Sequence, residues 1–389
     1  MYRILTLNNI AKEGIKLLSD ANYETGKNFA RFEAVLVRSA DVHGIELPDS
    51  VIAIARCGAG YNNIPVDLCS ERGIVVFNTP GGNANAVKEL ALAALFLSSR
   101  KIVPSIAWTR ALSGGEKEIA GLVEKGKAAF DGPEIAGKTL GVVGLGAIGV
   151  AVANDASALG MNVIGYDPYI SVDAAWNLSR VVRRADSLEQ LLAQSDYVTI
   201  HVPYSDATNN LFNAERLSLM KRGARLINLS RGGLAKEADV IAALDSNIIS
   251  YYVTDFPTPE LIAHDKTLCI PHLGASTPEA EVNCAKMAAV QLVNFLESGT
   301  IKNSVNFPDC RLTQTEHNRL LVANRNIPNM VGQITTLLAE EKINITDLIN
   351  HHKGNYAFNI IDTEQAIEAA LIERLKKIEG VVRVRIIQK

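Results

Sequence analysis

Gly144-Leu145-Gly146-Ala147-Ile148-Gly149 spells GxGxxG, directly after the β-rich run TLGVVG and at the start of the helical run VAVANDASAL. In that context Gly144 permits a tight turn, Gly146 lets the backbone approach a pyrophosphate, and Gly149 lets helix and strand pack closely. The helix N-terminus then offers unpaired N–H groups to the anion. Asp167 ends the next β-rich run, eighteen residues past Gly149. A carboxylate there accepts from the adenosine ribose hydroxyls and repels a 2′-phosphate, so NAD is expected rather than NADP. Arg183 and Arg184 are the nearby cations that would argue otherwise, but they sit off the strand end. The plain alternative is a glycine turn in a fold that binds no nucleotide.

Three further residues follow strand-like runs downstream: Arg231 after INLS, Glu260 after the run that ends near Asp255, and His272 after TLCIP. In an open parallel sheet, ligands bind at that carboxyl edge. Oxidation of a hydroxy acid needs a cation for the substrate carboxylate, a base for the hydroxyl proton, and a partner that orients the base. Arg231 suits the first task because guanidinium meets carboxylate bidentately. His272 suits the second because imidazole titrates near neutrality. Glu260 suits the third, with Glu279 and Glu281 on the next helix as fallback carboxylates. Taken singly, a surface salt bridge, a solvated loop and a capping histidine explain the three equally well.

The elements that must position these groups read as repeated β/α alternation. RILTL, EAVLVRS, VIAIARCG and IVVFNTP within the first eighty residues are strands bounded by Gly, Pro or Asn. Residues 85–112 turn helical, and the glycine-rich SGGEKEIAG that follows is expected to be a crossover. Six more strands begin at TLGVVGLG, NVIGYD, YVTIHVP, ARLINLS, SYYVTDF and TLCIPH. The last seventy residues order as βαββαβ, a ferredoxin-like unit. The fold class is therefore α/β: two doubly wound parallel-sheet domains plus a small antiparallel one. The expected boundaries are 1–103 with 276–308 for a substrate domain, 104–275 for a nucleotide domain, 309–317 for a linker and 318–389 for the terminal module.

Composition narrows the partners. The 389 residues carry 39 Lys and Arg against 42 Asp and Glu, a net charge of −3, with no block of like charge. That balance argues against a nucleic-acid or membrane-surface protein. The longest stretch free of polar side chains, Leu140 to Ala153, falls short of the roughly 18 residues of a membrane span. MYRILTLNN reads as a strand and not as a secretory signal. Five cysteines (Cys57, Cys69, Cys269, Cys284, Cys310) form no CxxC pair, so a reduced cytoplasmic chain with no metal site is expected. His351-His352 lacks further ligands and reads as a solvated turn.

With these motifs in place, the first 308 residues resemble the D-2-hydroxyacid dehydrogenase family. The likeness lies in VRS (Val37 to Ser39), RCGAGYNNIPVD, NTPGGNANAVKE, GVVGLGAIG, HVP (His201 to Pro203), NLSRGG, PHLGASTPEA and NSVNFP. The resemblance implies Arg231, Glu260 and His272 as the catalytic set. It implies an NAD site lined by Gly144, Gly146, Ala147, Ile148, Gly149, Asp167, His201, Pro203, Thr208, Ser230, Asp255 and Val87. Ala59, Gly60 and Tyr61 would hold the substrate carboxylate, Asn83 would stand nearby, and Arg38 and Ser39 would hold a phosphate, which points to 3-phosphoglycerate. The family usually has Glu-Pro where this chain has Pro259-Glu260. The terminal module resembles ACT regulatory domains, and Asn324, Asn326 and Asn344 match positions that hold an L-serine effector in regulated relatives. The family likeness also implies a homodimer or homotetramer. A dehydrogenase of another D-2-hydroxy acid, or a catalytically silent NAD sensor, remain the alternative functions.

Overall fold

A computed structural model describes residues 1–19, 21–313 and 318–387. It divides into two compact units, Met1–Asn83 with Pro278–Lys389, and Ala84–Thr277. The sequence reading placed those divisions at 103/104 and 275/276. Residues 314–317 of the expected linker lie outside the described residues.

The first unit begins with a parallel sheet of β1 (Tyr2–Leu7), β2 (Tyr23–Gly26), β3 (Ala34–Val37), β4 (Ala53–Arg56) and β5 (Val75–Phe77), in the order β2-β1-β3-β4-β5. The reading from sequence missed β2, whose YETG is polar because it lies at the sheet edge. Ala34–Val37 is buried throughout, as expected for an apolar strand of a sheet covered on both faces. Helix Pro278–Ser298 supplies one cover through Cys284, Ala285, Ala288, Leu292 and Phe295. Gly14 makes this packing possible, since a Cβ there would lie 2.7 Å from Ala285 backbone.

The same unit holds the terminal module: β13 (Asn318–Arg325), β14 (Ile345–Lys353), β15 (Tyr356–Thr363) and β16 (Val381–Ile387), antiparallel in the order β14-β15-β13-β16. Period-2 alternation gives this sheet two apolar faces. Leu320, Val322 and Ile361 meet helices Met330–Glu340 and Ala369–Lys376. Leu321, Ala323, Phe358 and Ile360 meet Phe77, Phe295 and Phe307 of the parallel-sheet lobe. Arg383 donates to the carbonyls of Val51 and Arg72, and Arg385 to those of Phe295 and Leu296. Buried Arg319 binds Asp362 through two bonds of 2.7 and 2.8 Å and also donates to the Ser298 carbonyl.

The second unit is one seven-stranded parallel sheet: β6 (Thr139–Val143), β7 (Asn162–Tyr166), β8 (Arg183–Arg184), β9 (Tyr197–Ile200), β10 (Ala224–Asn228), β11 (Ile249–Thr254) and β12 (Thr267–Cys269). Its order is β12-β11-β10-β9-β6-β7-β8, so the winding reverses between β6 and β9. Six of these strands are the expected six, and the two-residue β8 is additional. The helical stretch 85–112 is two helices, Ala84–Ser99 and Ile102–Arg110, bent by 66°. Most of segment 113–121, expected to be a crossover, is helical within Glu116–Gly126. Glu118 caps it by accepting from the Gly115 N–H at 2.9 Å, a local bond that outweighs the glycine content. No single helix among the described residues is long and apolar enough to cross a membrane.

Candidate active site

The glycine loop lies at the reversal point of the second sheet. Gly144 has φ 92°, and a Cβ on it would lie 2.7 Å from the His201 carbonyl. At Gly149 a Cβ would lie 1.9 Å from the Gly144 carbonyl, so helix Ala147–Ala158 can pack here only without a side chain. Gly146 is different: a Cβ there would meet nothing within 4 Å. The space over Gly146 is open, and its helix start carries no side-chain cap. Unpaired N–H groups facing open space fit a pyrophosphate.

Asp167 follows β7 and fixes this loop. One carboxylate oxygen accepts from the Leu145 N–H and the other from the Tyr169 N–H, both at 2.8 Å. The remaining lone pairs are free for ribose hydroxyls. His201 follows β9 and is partly buried. Its Nε2 lies 3.0 Å from the Thr199 hydroxyl, its Nδ1 has no partner, and burial pushes its pKa down to about 4. Thr208 donates to the Pro203 carbonyl at 2.7 Å, and Ser230 to the Val202 carbonyl at 2.7 Å, tying the loops after β9 and β10 together. Val87 is buried on helix Ala84–Ser99 and packs at Gly274, where a Cβ would lie 3.3 Å from Val87 and 3.8 Å from Asp255.

The catalytic candidates cluster differently from the expectation. His272 Nε2 lies 4.0 Å from Asp255 Oδ2, with the Asp255 side chain wholly buried and the imidazole 61% exposed. Phe256 packs beside the ring, centroids 4.9 Å apart. Neither Asp255 oxygen has a hydrogen-bond partner. Burial raises its pKa, and the charges of His272 and Arg231 pull it back. Asp255 and His272 line one cavity with Asn228, Tyr252, Thr258 and Glu237. Glu260 does not line it. It is exposed in the first turn of helix Pro259–Ala263, which Thr258 caps. The carboxylate facing His272 is thus Asp255, which the sequence reading assigns to the nucleotide site. Arg231 is exposed, and its guanidinium donates to the Ser230 carbonyl at 2.7 Å.

In the first unit, Arg38 follows β3 and contacts Glu281 of helix Pro278–Ser298 at 2.6 Å. The Ser39 and Ala40 N–H groups are held by Asn8 Oδ1 at 3.0 and 2.7 Å, which leaves the Ser39 hydroxyl as its available donor. The loop of Ala59, Gly60 and Tyr61 is braced by Asn78, which donates to the Ala59 carbonyl at 2.6 Å, and Tyr61 is exposed. Asn83 Oδ1 is buried without a partner. Glu279 is exposed. Sequence reasoning passed over Arg56, which is paired in register with Val37 and whose guanidinium lies over Gly58. Its signal was its position, a cation at the end of a strand just before the glycine loop.

Asn324, Asn326 and Asn344 make no hydrogen bond to one another. Buried Asn324 donates to the Arg325 carbonyl and accepts from Asn359 at 2.7 Å, and Asn350 donates to Asn359 in turn. Asn326 donates to the Gly354 carbonyl at 3.3 Å, and Asn344 is exposed.

Residues 92–274 match the family described as D-isomer specific 2-hydroxyacid dehydrogenase, NAD binding domain. D-3-phosphoglycerate dehydrogenase of Methanocaldococcus jannaschii is 31% identical over 90% of this chain and 67% of its own length. The chain belongs to the D-isomer specific 2-hydroxyacid dehydrogenase family. The Archaeoglobus fulgidus D-3-phosphoglycerate dehydrogenase is 34% identical over 72% of this chain, but the match spans only 52% of that relative, about half its length. A solved D-mandelate dehydrogenase of Rhodotorula graminis matches 76% of this chain and 94% of its own at 26% identity, with a TM-score of 0.64. The open glycine cradle and Asp167 accordingly belong to a family NAD domain.

Proposed function

We propose that this protein oxidises D-3-phosphoglycerate to 3-phosphohydroxypyruvate with NAD, the entry step of L-serine synthesis. The observation that carries the chemistry is the exposed His272 imidazole backed by the buried, unbonded Asp255 carboxylate at the carboxyl edge of an NAD-binding sheet. The choice of substrate is supported by relatives bearing that name and by Arg38 at the end of β3.

Gly144, Gly146, Gly149 and Asp167 would hold NAD, which supplies the electron-pair acceptor when bound. Arg231 binds the substrate carboxylate, and its planar fork fixes the orientation of the hydroxyl carbon. Arg38 and the Ser39 hydroxyl hold the phosphate. His272 takes the hydroxyl proton on its imidazole, and Asp255 stabilises the imidazolium that results. Because Asp255 accepts no hydrogen bond from the surrounding protein, its charge is undivided at that moment.

The terminal module is the regulatory arm in this reading, with L-serine as its effector. To serve, Asn324 must exchange its Asn359 bond for the ligand. Helices Ile102–Arg110 and Glu116–Gly126 bury none of their residues and expose Ile102, Val103, Ile106 and Leu122, the face a second copy covers in a homodimer or homotetramer. All five cysteines are free thiols, consistent with a reduced cytoplasm.

The test is NADH formation from D-3-phosphoglycerate by wild-type protein and by His272→Ala, with NADH binding measured on both. Turnover that falls roughly 10²–10⁴-fold in the variant while NADH still binds supports the reading. NADH binding without turnover in the wild type would replace the enzyme with a sensor.

A further inference from the structure

We propose that Glu281 is a specificity-determining residue, an internal competitor that occupies Arg38 until a doubly charged group displaces it. The inference rests on Arg38 being the anchor for the substrate's distal anion.

Arg38 and Glu281 are far apart in sequence yet meet at 2.6 Å within one compact unit, each side chain about two-fifths exposed. The backbone of Glu281 is held in this place. Its helix is pinned on either side of it by Ala280, Cys284 and Ala285, all buried. It also stands in the first helical turn, where a carboxylate is favoured by the helix dipole. Arg38 makes no other hydrogen bond among the described residues, so Glu281 is the group any incoming anion must replace. The second guanidinium at this edge, Arg56, sits on the neighbouring strand in register with Val37.

A side chain held this way competes at an effective concentration that is roughly millimolar. A free carboxylate brings the same single charge as Glu281 and gains nothing by exchange. A phosphate brings about −1.5 to −2 and three acceptor oxygens, enough to take the guanidinium and still reach the Ser39 hydroxyl. Discrimination thus comes from a repulsive element as well as an attractive one. A surface ion pair elsewhere would be incidental, but this one lies on the cation that the substrate needs.

The experiment compares KM for D-3-phosphoglycerate with KM for D-malate, which places a singly charged carboxylate where the phosphate would be. It uses wild type, Glu281→Gln, Glu281→Asp, Arg38→Ala and the Arg38→Ala/Glu281→Gln double variant. Glu281→Gln is expected to lower KM for D-malate at least tenfold and KM for D-3-phosphoglycerate no more than about threefold. Glu281→Asp, too short to reach 2.6 Å, moves both in the same direction and serves if the first variant folds poorly. In the Arg38→Ala background the Glu281→Gln effect disappears. A KM ratio that stays within twofold in both Glu281 variants, while Arg38→Ala still raises KM for D-3-phosphoglycerate, overturns the proposal and leaves the substrate reading intact. If Arg38→Ala leaves D-3-phosphoglycerate unaffected, the anchor itself is wrong and the proposal falls with it.

Discussion

Asp255 and His272 stand 4.0 Å apart, one wholly buried and the other largely in solvent, and the buried carboxylate has no hydrogen-bond partner. An acid buried without partners is held at a cost that only a nearby cation offsets. In the proposed reaction, proton transfer to His272 creates that cation. Asp255→Asn keeps the shape and removes the charge, so kcat should fall ten- to hundredfold, a loss of about 1.4–2.7 kcal/mol of barrier stabilisation. Glu260→Gln should cost much less. Steady-state kinetics on both variants decides, and the reverse ranking would return the role to Glu260.

The glycine loop separates folding from binding. A Cβ on Gly149 would sit 1.9 Å from the Gly144 carbonyl, whereas one on Gly146 would meet no protein atom within 4 Å. Gly149→Ala should therefore lower thermal stability by several degrees. Gly146→Ala should leave the melting temperature within a degree or two yet weaken NADH binding at least tenfold. Calorimetric melting beside fluorescence titration of NADH checks both.

His201 ties stability to acidity. Burial drives its pKa down to about 4. The folded protein therefore keeps it neutral while the unfolded chain takes up a proton below about 6.5. The resulting stability is complete above pH 6.5 and is lost as pH falls from there through 4. The loss is on the order of 3 kcal/mol. Denaturant midpoints at pH 7.5 and 4.5 should differ less in His201→Gln than in wild type. An unchanged difference would refute the assignment.

Arg319 and Asp362 form the buried bidentate pair beneath the terminal sheet, 5% and 0% exposed. Arg319→Met strands the carboxylate, and a loss of about 3–5 kcal/mol is expected in urea unfolding. The double change with Asp362→Leu should recover most of it.

How much of this was legible depended on the range of the interaction. Apolar runs ending in Gly, Pro or Asn marked the central strands, and GxGxxG with Asp167 located the nucleotide loop, because both are local in the chain. The edge strand Tyr23–Gly26 and the two-residue β8 escaped, since edges need no apolar run. The bend between Ser99 and Ile102 escaped because the apolar pattern continues across it. Asp255 facing His272 and Glu281 holding Arg38 are tertiary facts; loop spacing pointed instead to Glu260. Likewise, the alternating arginines of VRVRI announce a strand, but only the fold shows them bonded to carbonyls of the parallel-sheet lobe.

The most direct measurement is NADH formation at alkaline pH from D-3-phosphoglycerate, D-glycerate and D-lactate side by side, with a trap for the keto product and with L-serine present or absent. Turnover confined to the phosphorylated acid, and slowed by serine, is the predicted result. Turnover of an unphosphorylated acid in preference to it would contradict the account.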